Sequence, residues 1–148
     1  MNKVPFRIVP GITAGVAGLA YAGIPATHRD FNTSVTFISA YGAGGEKPET
    51  IDWKNFTQTS QLIIVYMGLQ RIHWVCNELI LKGREQNESI AIISNATKTN
   101  QKIFIDTLLN CSKKHVLFSA SFIEEFGIAS ATMLRMGLSI DVPRYSFK

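Results

Sequence analysis

The sequence predicts an α/β fold, a mixed sheet flanked by helices. Residues 61–67 (QLIIVYM) and 89–94 (SIAIIS) are near-continuous apolar runs of strand length, the pattern of strands buried on both faces. Between them, Ile72, Val75, Cys76, Leu79 and Ile80 recur at helical spacing within residues 70–82. Strand-like and helix-like segments alternate along the chain, which sets helices against the faces of a sheet.

Each element has a local reason. Residues 1–9 end in the apolar pair Ile8-Val9 and read as a lead-in to the turn Pro10-Gly11. Thr13 is placed to open a helix over residues 12–23 as a cap. That helix carries Gly15, Gly18 and Gly23 among alanines, although glycine is a poor helix former by about 1 kcal/mol. Close approach by a neighbouring element or by a ligand explains such a choice, and the sequence leaves both open. Ile24-Pro25 is expected to end the helix, because proline disfavours the α region before it. Thr27, His28, Arg29 and Asp30 follow outside it.

Residues 34–41 (SVTFISAY) are β-branched and aromatic and read as a strand, followed by a glycine-rich loop. Asp52 is a plausible cap for a short helix through Trp53 and Phe56. Gly68 breaks the apolar run after Met67, and Lys82-Gly83-Arg84 gives the next helix a basic last turn and a glycine stop. Residues 95–101 form a polar loop and 102–106 (KIFID) a further strand. Beyond Leu109 the pattern weakens. Residues 115–122 suit a strand or a buried helix start, residues 123–138 suit a helix through Phe126, Ala129, Met133 and Met136, and the last eight residues read as an unstructured end.

Composition bounds the function. A chain of 148 residues is one domain, or one domain with an appendage, and 46% hydrophobic residues suffice for a core. No apolar run reaches membrane-span length, and the N-terminus is too short and too interrupted by proline for a signal peptide. A cytoplasmic location without a membrane partner is expected. Cys76 and Cys111 are too few for a disulfide framework and lack the C-x-x-C spacing of a metal site. The formal charge of +4 comes from scattered residues, not from a basic stripe with interleaved aromatics, so no nucleic-acid partner is expected. A mildly basic cleft would suit an anionic small molecule.

Three stretches are candidates for chemistry. The glycine-rich helix with its Thr-His-Arg-Asp tail is the first. The second is Val65-Tyr66-Met67-Gly68-Leu69 at the carboxyl end of the strongest strand, where open α/β sheets gather ligands, though methionine there is ordinarily core. The third, Ser94-Asn95-Ala96-Thr97 with Gln101, is by itself a polar loop just past a buried strand.

Together these motifs resemble the uroporphyrinogen-III C-methyltransferases of the tetrapyrrole methylase superfamily. The family pattern runs roughly V-V-P-G-I-T, then A-Y-x-G-I-P-x-T-H-R. Here it stands as Val9-Pro10-Gly11-Ile12-Thr13, then Ala20-Tyr21-Ala22-Gly23-Ile24-Pro25-Ala26-Thr27-His28-Arg29. The Met-Gly pair and the Asn-Ala-Thr loop follow in the family's order. The resemblance implies the C-terminal domain of the two-domain tetrapyrrole methylase fold and S-adenosylmethionine as cofactor. It places Thr13, Ala14, Met67 and Ala96 beside that cofactor, and His28 and Arg29 toward uroporphyrinogen III, whose carboxylates an arginine can pair bidentately. It implies C-methylation giving precorrin-2, on the route to sirohaem or cobalamin, by a homodimer in the intact family. It also implies a division into an interdomain remnant (1–26), a methylase α/β domain (27–110) and a divergent tail (111–148).

The family's G-x-G-P-G-D loop, its G-D-P motif and its Arg-Gly-Gly-Glu-Glu run are not in this sequence. The expectation is therefore a truncated form with weak or no activity alone, and no catalytic residue is assigned. Two other classes remain: a non-catalytic remnant or complementing subunit, and an unrelated nucleotide-binding α/β domain.

Overall fold

In a computed structural model, residues 4–113 and 130–135 are described. The two apolar runs form β2 (Leu62–Tyr66) and β3 (Ser89–Ser94), and the β-branched segment forms β1 (Val35–Ser39). β4 (Lys102–Thr107) pairs antiparallel with β3, and β1 pairs parallel with β2. A fifth strand, β5 (Ser130–Arg135), lies between β2 and β3 and runs antiparallel to both. The order is β1-β2-β5-β3-β4, so the sheet is mixed.

β5 corrects the helical reading of residues 123–138 across Ser130–Arg135; the rest of that segment, residues 115–122 and the last eight residues lie outside the described residues. The physical reason is backbone pairing. β2 and β3 are buried, and their inward edges need partners for N–H and C=O groups that no water can reach. That demand outweighs a loose helical period.

Alternation along the strands divides the core. On one face, Ile63, Val65, Ile90 and Ile92 pack with Val75, Cys76 and Leu79 of α3 (Ile72–Leu81) and with Leu108 and Cys111 of α4 (Leu108–Lys113). α2 (Trp53–Thr59) joins them through Trp53, edge-on to Trp74 at 5.3 Å. On the other face, Leu62, Ile64, Ala91 and Ile93 pack with Leu19, Ala22 and Ile24 on and just after α1 (Ala14–Tyr21).

The helix ends follow their sequence signals with one correction. Asp52 caps α2 by accepting from the Asn55 N–H at 3.0 Å. Gly83, at φ +107°, ends α3, with Arg84 N–H bonded to Leu79 O and Gly83 N–H to Ile80 O. α1 stops in the same way, earlier than Ile24-Pro25. Gly23 takes φ +70°, with Ile24 N–H on Leu19 O and Gly23 N–H on Ala20 O. A left-handed glycine closes the helix before proline can act.

Among the described residues no helix is long and apolar enough to cross a membrane. Both cysteines are buried free thiols. An S–H hydrogen bond with Cys111, together with burial, pushes the Cys76 thiol well above its ordinary pKa.

Candidate functional site

β1, β2 and β3 run in the same direction, so their carboxyl ends share one edge. α1 lies over the β2 and β3 ends of this edge. Thr13 begins α1 in extended geometry, and its carbonyl accepts from the N–H groups of Val16 and Ala17. Its side chain makes no cap. The hydroxyl is instead hydrogen-bonded to the Tyr66 hydroxyl from the end of β2. Tyr66 also accepts from the Gly15 N–H at 3.3 Å, and its ring stacks on Phe37 at 6.0 Å.

This junction explains two glycines. A methyl group on Gly15 would stand 2.5 Å from the Tyr66 hydroxyl, 2.9 Å from Phe37 Cε1 and 3.0 Å from Ile64 Cγ2. Gly18 faces the next strand end, where a methyl group would stand 3.4 Å from Ala96 Cβ and 3.8 Å from Ile93 Cγ2. The neighbour that needs the glycines is thus the sheet itself, most tightly at Gly15.

The two turns beside α1 hold unusual backbone. Met67 has φ +56°, Asn95 φ +50° and Thr97 φ +71°, the positive-φ non-glycine residues of the described chain. For methionine and threonine this region is sterically costly. Such residues persist where their surroundings over-determine them, and they cluster at ligand clamps. Gly68, expected to make the turn, has an ordinary φ of −75° and is buried; Met67 makes the turn instead, with a half-exposed side chain. Gln101 closes the second turn. Its Oε1 accepts from Thr97 N–H at 2.8 Å, and its Nε2 donates to the Tyr21 carbonyl at 3.2 Å.

The same edge carries a positive charge. Arg71 donates to the carbonyls of Ala40 (3.2 Å) and Gly45 (2.6 Å), and its guanidinium lies 4.0 Å from the centre of the Tyr41 ring. Ser94 Oγ, buried at the end of β3, has no hydrogen-bond partner among the described residues.

The structure therefore brings Thr13, Met67 and Ala96 to one edge, with Ala14 beside Thr13 on α1. His28 and Arg29 sit elsewhere. His28 pairs through its backbone with Asn32. The chain then passes Thr33 and Ser34, whose N–H groups donate to Gln61 just before β2. That is the amino edge of the sheet, and the six residue steps from Gln61 to Met67 span roughly 20 Å. His28 Nδ1 accepts from the Asp30 N–H at 3.3 Å, and the ring stacks on Phe31 at 4.6 Å. The same Nδ1 lies 3.7 Å from the Asp30 carboxylate. Arg29 is exposed.

The sequence places Tyr66 within the stretch around Met67-Gly68 but gives it no role of its own. Its signal was a hydroxyl at the end of an apolar strand, since a half-buried tyrosine needs a partner for its O–H.

The edge fits an adenosyl group. Small residues on α1 and at Ala96 keep side chains out of the way, and Met67 offers an apolar surface. The orphaned Ser94 hydroxyl adds a polar group for which the described fold has no use.

A sequence profile described as Tetrapyrrole (Corrin/Porphyrin) Methylases matches residues 1–110. A protein named uroporphyrinogen-III C-methyltransferase from Sinorhizobium sp is 44% identical over 107 residues, covering 72% of this chain and 38% of that protein. A siroheme synthase from Photorhabdus laumondii is 40% identical over 106 residues, 72% of this chain and 22% of its own length. Among solved structures, the Thermus thermophilus uroporphyrin-III C-methyl transferase complexed with S-adenyl homocysteine superposes with a TM-score of 0.73 at 25% identity. It covers 90% of this chain and 53% of its own. A cobalt precorrin-4 methyltransferase shares the fold, with a TM-score of 0.69 at 18% identity over 87% of this chain and 51% of its own. The chain thus spans about half the length of these solved relatives, and less of the curated ones.

Proposed function

The chain belongs to the tetrapyrrole (corrin/porphyrin) methylase family, and from that membership we propose that it supplies one side of an S-adenosylmethionine-dependent C-methyltransferase that converts uroporphyrinogen III to precorrin-2. The observation that carries this reading is the pair of left-handed turns at Met67 and Asn95–Thr97, both set against α1 at the carboxyl edge. Thr13 and Ala14 from α1, Met67 from the first turn and Ala96 from the second would hold the cofactor.

When bound, S-adenosylmethionine supplies an electrophilic methyl group on a sulfonium. The protein's task is then to position the reactants and keep water away, since such a displacement depends on alignment. Met67 contributes apolar cover, and the main chain of the two turns contributes hydrogen-bonding groups. The His28 ring and the Arg29 guanidinium would form an outlying pair for substrate carboxylates. Their place toward the amino edge supports a contact with the periphery of a broad polycarboxylate, away from the reacting carbon.

Calorimetric titration of the purified chain with S-adenosylhomocysteine tests this reading. Saturable one-to-one binding is expected, with weak or no methylation of uroporphyrinogen III by the chain alone. Absence of S-adenosylhomocysteine binding would refute it.

A further inference from the structure

We propose that Tyr66 and Gln101 are positioning residues, which set α1 against the two turns so that the adenosyl site at the carboxyl edge is formed. The inference rests on the functional reading above. Tyr66 holds the first turn of α1 through the Thr13 hydroxyl and the Gly15 N–H, and it immediately precedes the left-handed Met67. Gln101 holds the last residue of α1 through the Tyr21 carbonyl and, with its other amide atom, holds the left-handed Thr97. Each side chain therefore ties one end of α1 to one turn.

Among the described residues no other side-chain hydrogen bond fixes the helix ends to the sheet. α1 has no side-chain cap, no acid in its first turn and no base in its last. Its apolar anchors, Leu19 and Ala22, lie toward one end. Its glycine face seats closely on Tyr66, Phe37 and Ile64 but presents no side chain of its own to grip the edge. Polar ties at both ends make up for that. A slide of α1 by a fraction of a turn would move Thr13-Ala14 away from Met67 and Gly18 away from Ala96.

The two residues act through one body, so their effects should be coupled and not independent. Tyr66→Phe keeps the ring on Phe37 and removes only the hydroxyl. Gln101→Met keeps the length and removes both hydrogen bonds. Each substitution should weaken S-adenosylhomocysteine binding by about tenfold through loss of alignment. The double variant should be little weaker than either single one. Melting temperature should fall by only about 6 °C in each, as expected for the two hydrogen bonds that each substitution removes in a chain of this size.

Hydrogen exchange of the ligand-free chain is the independent readout. Tyr66→Phe should speed exchange of the Gly15 amide by about tenfold, a change that an inert hydroxyl would not cause. Unchanged affinity in both single variants, or fold-losses that multiply in the double one, would overturn the proposal. If the wild-type chain fails to bind S-adenosylhomocysteine, the functional reading falls and this proposal falls with it. Gly15 exchange then still reports whether Tyr66 sets the helix. Unchanged exchange with intact wild-type binding overturns the role of Tyr66 alone.

Discussion

Gly15 and Gly18 lie on the same face of α1, three residues apart, and the structure assigns them opposite responses to one methyl group. Alanine in place of glycine favours a helix by about 0.5–1 kcal/mol at either site. At Gly18 the new methyl meets Ala96 Cβ at 3.4 Å and Ile93 Cγ2 at 3.8 Å, ordinary contact distances, so the propensity gain survives. At Gly15 it meets three atoms at 2.5–3.0 Å. One belongs to Ile64, which is wholly buried, and another to Tyr66, whose hydroxyl is tied to Thr13. Neither can move without loss. Overpacking of this kind costs about 1–3 kcal/mol, which exceeds the gain. Gly15→Ala should therefore destabilise by about 1–2 kcal/mol, while Gly18→Ala stabilises by about 0.5 kcal/mol. In urea, with a slope of about 2 kcal/mol/M, the first midpoint falls by about 0.5–1 M and the second rises slightly. Equal upward shifts in both variants would show that α1 does not seat on Tyr66 and Ile64 as described.

Three further outcomes follow from the packing. Arg84 and Glu88 form a buried pair at 2.7 Å, and Arg84 also donates to the Ser60 carbonyl. Arg84→Met should cost about 3–5 kcal/mol in urea unfolding by stranding a buried carboxylate, and adding Glu88→Leu should recover most of it; a loss under 1 kcal/mol in the single variant would contradict the burial. The raised Cys76 thiol gives stability a high-pH limit. A thiol held neutral in the folded chain ionises first in the unfolded one, so its contribution is complete below about pH 8.5 and declines above it by about 1.4 kcal/mol per pH unit. Denaturant midpoints from pH 7 to 10, with Cys76→Ala flattening this slope, check the sign. Met67→Gly should raise stability by about 1 kcal/mol by relieving the left-handed backbone while weakening S-adenosylhomocysteine binding, a split readable by melting and calorimetry.

Much of this fold was legible where burial writes itself into a short segment. The runs of β2 and β3, the spacing of α3, the Asp52 cap and the Gly83 stop each depend on neighbours within a few residues. β5 was not legible, because what makes Ser130–Arg135 a strand is the pair of partners it finds in β2 and β3. In the candidate site, the motifs at Thr13, Met67 and Ala96 were legible and the forces acting on them were not. Thr13 read as a capping hydroxyl, yet that hydroxyl serves Tyr66. Gly68 read as the turn, yet Met67 takes the left-handed backbone, which is a property of the surrounding loop more than of the residue. Gln101 stood out only as a polar residue in a polar loop, since its two hydrogen bonds depend on α1, far away in sequence.

The central place of β5 has a consequence for how the chain is made. Leu62 pairs with Arg135 and Ile90 with Leu134, while β2 and β3 share no ladder with each other. A ribosome therefore releases two half-sheets, β1-β2 and β3-β4, well before the strand that joins them. Until it arrives, β2 and β3 each present an open, strongly apolar edge, the feature that draws nascent chains into mispairing or onto chaperones. Closure over such sequence distances is slow. Synthesis of this chain should thus depend on β5 far more than the six residues Ser130–Arg135 would indicate.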